Sequence, residues 1–376
     1  MSHLFSNYGR WPISIVKGEG NYLFDSEGKK YLDMVSGIAV TSLGNVPPKV
    51  KAKVAEQLDT LWHCSNLFQI PIQEELADKL ASISGLDRVF FCNSGAEANE
   101  AAIKLARKFG NDKGKYEIIT FEQSFHGRTL ATLTATGQDK VKIGFDPLPS
   151  GFKSVPYNDF EALQKAITNQ TCAIMLETVQ GEGGVHPADP IWLEQIAELC
   201  KPQDILLIID EIQTGIGRTG KWFGFQHYGI EPDIVTAAKG LGSGFPVGAM
   251  MAKEFLADSF GPGTHGSTFG GNPLAMAAGM ATLEEVESYL PVVESKGNYI
   301  REKLGGRGKG LLVGIDLGFE VAPIITELRE EGILALQAGP NVIRLLPPFT
   351  ISQEELEFAV DTIGKMIEKH KGAVGI

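Results

Sequence analysis

Short runs of β-branched and aromatic residues, most of them apolar on both faces rather than at alternate positions, recur through the middle of this chain. They occupy residues 89–92, 116–121, 172–176, 205–209, 234–236 and 247–251, and longer segments of helical periodicity separate them. A strand with no polar face has to be covered on both sides, and helices between successive strands supply the covers. The pattern therefore predicts a large α/β domain on a mostly parallel sheet. In such sheets ligands bind beyond the carboxyl ends of the strands, which is where chemistry is sought.

The flanks read differently. Residues 1–48 hold a turn-rich stretch, Gly20-Asn21-Tyr22-Leu23-Phe24-Asp25-Ser26-Glu27-Gly28, which suggests a hairpin packed against something else. Residues 49–273 form the expected large domain. Residues 274–376 read as a smaller α+β domain, with two helical stretches, strands at 309–317 and 341–345, and a final helix over 352–371. At 376 residues one core is too few, and 43% hydrophobic with 21% charged residues excludes wholesale disorder.

A formal charge of −12 repels a phosphate backbone, so nucleic acid is not an expected partner. The 4 cysteines lie far apart without a CxxC spacing, and no apolar run is long enough to span a bilayer. A cytoplasmic protein is expected. The 7 histidines include no pair at helical metal-site spacing, so no metal is expected either.

Three features carry chemistry. In Val89-Phe90-Phe91-Cys92-Asn93-Ser94-Gly95-Ala96-Glu97, Ser94 and Glu97 predict a capping box. The free N–H groups of the helix start, reached past Gly95 without a side chain in the way, suit a phosphate monoester. Taken alone, the segment also reads as an ordinary strand-to-helix turn. Next, the apolar run 205–209 ends in Asp210-Glu211, where an aspartate wants a cation. About one crossover unit later, Lys239 stands among small and apolar residues. Its ammonium is either paired with a carboxylate or relieved by a lowered pKa or a covalent bond to a carbonyl. Together the three suit pyridoxal phosphate: the helix start takes the phosphate, Lys239 bonds to the aldehyde, and Asp210 pairs with the ring nitrogen.

One motif points elsewhere. Gly215-Ile216-Gly217-Arg218-Thr219-Gly220 matches the GxGxxG dinucleotide fingerprint, but residues 210–214 separate it from the strand and no helical pattern follows. Position 240, where a ribose-binding acid belongs, is glycine.

In order and spacing these segments match further ones: Tyr8-Gly9-Arg10-Trp11-Pro12, Asn93-Ser94-Gly95-Ala96-Glu97-Ala98-Asn99-Glu100, Ser124-Phe125-His126-Gly127-Arg128-Thr129, Asp210-Glu211-Ile212-Gln213-Thr214-Gly215 and Gly266-Ser267-Thr268-Phe269-Gly270-Gly271-Asn272-Pro273. With Lys239, they make the chain resemble the class III, fold type I pyridoxal-phosphate aminotransferases over essentially its whole length. The resemblance implies a large domain with a mostly parallel sheet, and a smaller one formed by the C-terminal part with the N-terminal segment.

It further implies that Ser94, Gly95 and Ala96 cradle the phosphate, Phe125 and Ile212 take the two ring faces, and Asp210 and Gln213 hold its nitrogen and hydroxyl edge. Thr268 would reach the phosphate of a neighbouring subunit, hence a homodimer with shared sites. Arg128, helped by Ser267, would bind the substrate carboxylate. Arg344 would take the α-carboxylate of glutamate or 2-oxoglutarate, with Glu182 covering it when the other substrate is present.

The implied reaction moves the δ-amino group of N2-acetylornithine to 2-oxoglutarate, a step of arginine synthesis. Ornithine, succinylornithine and 4-aminobutyrate are alternative donors, and succinyldiaminopimelate a possible second one. A nicotinamide-dependent dehydrogenase using residues 215–220, or an inactive binding protein on the same fold, are the readings from other classes. The chain departs from the family at Leu43-Gly44-Asn45-Val46-Pro47-Pro48, where many members carry histidines.

Overall fold

A computed structural model describes residues 2–374. Seven strands form the central sheet: β1 (Arg88–Cys92), β2 (Glu117–Phe121), β3 (Phe152–Val155), β4 (Thr171–Leu176), β5 (Leu206–Asp210), β6 (Ile234–Ala237) and β7 (Gly248–Ala252). Their order is β1-β7-β6-β5-β4-β2-β3. Six run in one direction, and β7 alone is reversed, antiparallel to both β6 and β1. All residues of β4, β5, β6 and β7 are buried. Alternate side chains enter two separate cores: Leu206, Ile208, Ile234 and Met250 on one face, and Leu207, Ile209, Val235 and Met251 on the other. That two-sided burial is why the sequence shows no polar alternation.

Helices cover the sheet. Two of them, α1 (Pro48–Leu58) and α2 (Pro71–Ser84), begin with proline at the first helical position, and α2 ends on left-handed Gly85. The next, α3 (Gly95–Asn111), buries Ala98, Ala101, Ala102, Leu105 and Ala106, a helical stripe of small residues that lets it lie close on the strands. A fourth helix, α4 (Pro273–Val286), is buried nearly all round and packs on α1 and α2; a Cβ at Gly279 would stand 2.8 Å from Leu76. The division at residue 273 thus falls at the cap of a helix that leans back on α1 and α2. After α5 (Leu290–Leu304) comes a four-stranded antiparallel sheet of β8 (Arg307–Lys309), β9 (Leu312–Asp316), β10 (Leu336–Gln337) and β11 (Val342–Leu345), in the order β8-β9-β11-β10, followed by α6 (Gln353–Val374).

The N-terminal meander, Ile15–Glu19, Tyr22–Asp25 and Lys30–Asp33, takes the distant strand Ile333–Leu334 as its fourth member. The N-terminal segment is thereby joined to the C-terminal part. The expected strand over 309–317 is instead a hairpin, because Gly310 turns at φ +54 with its N–H on Glu294 and its carbonyl on Arg301. The strand β3 at the sheet edge has no counterpart in the expectation. Its sequence, Phe-Lys-Ser-Val, lacks an apolar run because an edge strand is covered less.

Residues 215–220 form a staple between the two parts of the molecule. Arg218, 1% exposed, donates to the carbonyls of Leu311 (3.0 Å) and Pro347 (2.6 Å) and to Ser42 Oγ (3.0 Å), with its guanidinium 4.8 Å from the Phe349 ring centre. A Cβ at Gly217 would stand 2.8 Å from Val286, so that glycine serves helix docking and leaves no room for a dinucleotide. Arg218→Ala should lower stability by about 3 kcal/mol, because it strands two buried carbonyls and opens a cavity. The check is a lower urea midpoint at unchanged slope; a midpoint equal to that of the parent chain would contradict the staple.

Candidate active site

The carboxyl ends of β5 and β6 open into a cavity of about 370 Å³. Asp210 and Lys239 both line it, together with Ser94, Gly95, Ala96, Phe125, Arg128, Glu182, Ile212 and Gln213. Parallel pairing sets Asp210 opposite Thr236, and Lys239 follows three residues on. Residues far apart in sequence thus reach one place because two adjacent strands end at one level.

At the helix start, Ser94 Oγ accepts the N–H of Glu97 at 3.2 Å, as expected of an N-cap. The reciprocal half differs. Glu97 Oε2 accepts the N–H of Asn93 (2.5 Å) and its side-chain amide (3.0 Å), not the N–H of Ser94. The glutamate therefore grips the residue before the cap, because the strand end turns that N–H towards it. Among the described residues, the N–H groups of Gly95 and Ala96 have no acceptor and face the cavity. A Cβ at Gly95 would meet Ile212 at 2.8 Å, so only glycine lets the cradle and Ile212 approach so closely.

Asp210 is 3% exposed and surrounded by donors. Its Oδ2 accepts from Asn99 Nδ2 (2.8 Å) and His126 Nδ1 (2.7 Å), and its Oδ1 accepts the N–H of Ile212 (3.0 Å). The histidine tautomer is assigned from that contact: a carboxylate only accepts, so Nδ1 carries the proton. Nε2 of His126 is buried without a partner. Asn99 also donates to the carbonyl of His126 (2.8 Å) and accepts from Thr236 Oγ1 (2.8 Å). Neither Asn99 nor His126 was singled out in the sequence. Both lie inside motifs quoted above, but nothing in the linear order shows that they touch Asp210. Glu211, next along, turns away and caps the N–H groups of Gly224 (2.9 Å) and Phe225 (2.7 Å). Burial raises it to about 7, against those hydrogen bonds and that of Thr214.

Lys239 adopts φ +44, a left-handed conformation that a side chain rarely takes, and has no ion-pair partner within 4.0 Å among the described residues. Burial holds its ammonium below the usual lysine range; Glu182 opposes this, and Arg344 reinforces it. Arg344, 2% exposed, donates from Nη1 to Glu182 Oε1 (2.7 Å) and the carbonyl of Gly181 (3.0 Å). Burial would push Glu182 up, but the charge of Arg344 and its hydrogen bond leave the carboxyl below its ordinary value. Gln213 Nε2 donates to the same oxygen at 3.2 Å. A third carboxyl, Glu177, accepts the N–H of Phe125 (3.1 Å) and is pushed well above the usual range by burial, then by Asp210.

Arg128 is exposed at the mouth, stacked 5.4 Å over Phe125, and unpaired among the described residues. Ser267 and Thr268 do not line the cavity of this chain. Ser267 Oγ accepts from Asn93 (3.2 Å) and Gly270 (2.9 Å), and Thr268 lies in a separate recess with His63 and Cys64.

Pyridoxal phosphate fits this set. Two unpartnered N–H groups at a helix start suit a phosphate, a carboxylate with three of about four acceptor positions filled keeps one, and an unpaired amine stands in the same cavity.

The family model for class-III aminotransferases matches residues 5–367. The acetylornithine aminotransferase of Halalkalibacterium halodurans is 56% identical over 393 residues, covering 98% of this chain and 99% of that one. The enzyme of the same name from Bacillus subtilis is 54% identical over 384 residues, covering 98% and 99%. Among solved structures, an ornithine aminotransferase from Toxoplasma gondii, reported with partial occupancy of PLP at its active site, matches with a TM-score of 0.93 at 32% identity, covering 98% of this chain and 94% of that one.

Only an uncharged amine attacks an aldehyde, so uptake of pyridoxal phosphate by cofactor-free protein should speed up as pH rises. Because burial lowers Lys239, the midpoint of that rise should lie below that of an exposed lysine. Stopped-flow absorbance measures it, and a midpoint matching a free lysine side chain would contradict the desolvated amine.

Proposed function

The chain belongs to the class-III aminotransferases, and we propose that it moves the δ-amino group of N2-acetylornithine to 2-oxoglutarate, giving N-acetylglutamate 5-semialdehyde and glutamate in arginine synthesis. The observation that carries this reading is the pair of Arg344 and Glu182, 2.7 Å apart beside Lys239, with Arg128 left unpaired at the mouth. One substrate presents a carboxylate next to its reacting carbon, and the other presents none there. A cation that can be covered or bared serves both.

When bound, pyridoxal phosphate supplies an aldehyde that takes an amino group from one substrate and returns it to the next, and a ring that spreads the electron pair left by a departing proton. The protein supplies the rest. The N–H groups of Gly95 and Ala96 and the positive end of α3 hold the phosphate, with Ser94 beside them. Phe125 and Ile212 bracket the ring, and Gln213 borders it. Asp210, already accepting three hydrogen bonds, offers a fixed acceptor for a proton on the ring nitrogen. Lys239 Nζ, as a free amine, would take the proton from the substrate carbon and hand it on; its lowered pKa keeps it competent as a base. Val40, Phe245, Pro246 and Val247 form an apolar wall that limits water.

Arg128 binds the far carboxylate of N2-acetylornithine bidentately; Ser267, which lies outside the cavity of its own chain, assists from a second copy. Arg344 binds the α-carboxylate of glutamate once Glu182 swings off it. Thr268 serves the phosphate of a second copy, so the working unit is a homodimer. Large exposed apolar residues near Thr268, Leu67, Phe68 and Phe269, support such a contact. No helix among the described residues is long and apolar enough to cross a membrane, and the cysteines are unpaired; we place the enzyme in the cytoplasm.

Titrating the yellow protein should show loss of its visible absorbance with glutamate and with N2-acetylornithine. The latter should exceed ornithine and 4-aminobutyrate by about tenfold or more in kcat/KM; equal efficiency for ornithine would move the donor assignment. In Glu182→Ala, Arg344 stays bare, so the N2-acetylornithine half-reaction should fall about tenfold relative to the glutamate half-reaction. An unchanged ratio would remove Glu182 from substrate choice.

A further inference from the structure

We infer that Arg307 is a positioning residue for Glu182: it fastens the backbone of the Glu182 loop to the sheet that carries Arg344, so that the ion pair opens by rotation of the Glu182 side chain and not by movement of the loop. This rests on the substrate-switching reading of Glu182 above and adds a determinant of it.

Glu182 lies in the loop of residues 181–185, between the two-residue strands Val179–Gln180 and His186–Pro187. Two arginines of one sheet hold its two ends. Arg344 on β11 takes the carbonyl of Gly181 at 3.0 Å as well as the carboxylate of Glu182. Arg307 on β8 takes the carbonyl of Gly184 through Nη2 (2.8 Å) and Nε (3.2 Å), and that of Val185 through Nε (3.0 Å). Its Nη1 rests on Asp316 Oδ2 at 3.0 Å, which keeps the guanidinium fork aimed at the loop.

The register makes this a single device. Arg307 pairs with Gly314 on β9, and Gly314 pairs with Arg344 on β11, so the three stand in one row across the sheet. Directly opposed residues present their side chains on the same face, and the middle member has none. Into that gap goes Val185, fully buried; a Cβ at Gly314 would stand 2.6 Å from that of Val185. Gly184 and Val185 hold φ +122 and +57, a strained bend that persists where neighbours over-determine it. The loop is thus fastened at both ends to the strands that bear Arg344. Displacement of this sheet relative to the large one carries acid and base together, and only the side-chain torsions of Glu182 remain to separate them.

Releasing the Arg307 grip frees the loop to carry Glu182 off Arg344, so Arg307→Ala should act in the same direction as Glu182→Ala. Single-turnover absorbance of the holoenzyme gives both half-reactions. In Arg307→Ala the N2-acetylornithine half-reaction should fall about fivefold relative to that with glutamate, a coupling typical of residues in one network. In a Glu182→Ala background the same substitution should leave the ratio unchanged. Gly314→Ala, which displaces Val185 and its carbonyl from Arg307 while keeping the guanidinium, should shift the ratio the same way and serves if Arg307→Ala fails to fold. Arg307→Lys, which cannot span two carbonyls and Asp316, should restore little. Equal slowing of both half-reactions, or a ratio change that persists in the Glu182→Ala background, overturns the role of Arg307. If Glu182→Ala alone leaves the ratio unmoved, the switching reading fails first and Arg307 falls with it, which separates the two cases.

Discussion

One buried amide spans the two strands on which the site depends. Asn99 on α3 accepts from Thr236 at the end of β6 and donates to Asp210 at the end of β5. Those residues are already level through parallel pairing, and the amide ties α3 to both strand ends. With its second donor bond reaching the backbone of His126, Asn99 joins four segments at one fully buried point. A polar group so enclosed is costly unless every bond is made, and here its side-chain acceptor and donors are engaged. Rigidity at this point holds the start of α3, Asp210 and Lys239 in fixed positions around one cavity.

Three buried or half-buried cations show how the surroundings of a charge decide its use. Arg218 is surrounded by carbonyls that cannot leave, and it is structural. Arg344 is paired with the carboxylate of a residue that lines the cavity, which is what the proposed exchange for a substrate carboxylate requires. Lys239 has no close partner, so desolvation lowers its pKa and leaves it reactive. The same economy governs the adjacent acids of β5: Asp210 faces the cavity, while Glu211 spends its oxygens on the loop behind it.

Much of this was legible before any coordinates. The strands at 89–92, 172–176, 205–209 and 247–251 stand out because both their faces are buried, which leaves an unbroken apolar run. Asp210 and Lys239 stand out because a charge at the end of such a run has to answer for its burial. What escaped notice had no such mark. The edge strand β3 is half polar, and the hairpin at Gly310 interrupts an otherwise apolar stretch with a single residue. Asn99 and His126 are polar residues inside segments already assigned to the cofactor, and Arg307 is one of many arginines. The GxGxxG run shows the converse: its glycines answer to close packing against α4 and α5, a demand that looks the same in sequence as a phosphate turn.

By itself the sequence determined the layered α/β class, the capped helix start after β1, and a strand-end acid that shares one cavity with a desolvated amine. These follow from local periodicity, capping and burial, which act over a few residues. Tertiary structure alone decided which donors hold Asp210, that Arg218 staples the two parts, and that Arg307 and Arg344 share one row beneath the Glu182 loop. Those relations arise from strand register and the approach of distant segments, and a linear order carries no record of which side chains a fold will bring within hydrogen-bond reach.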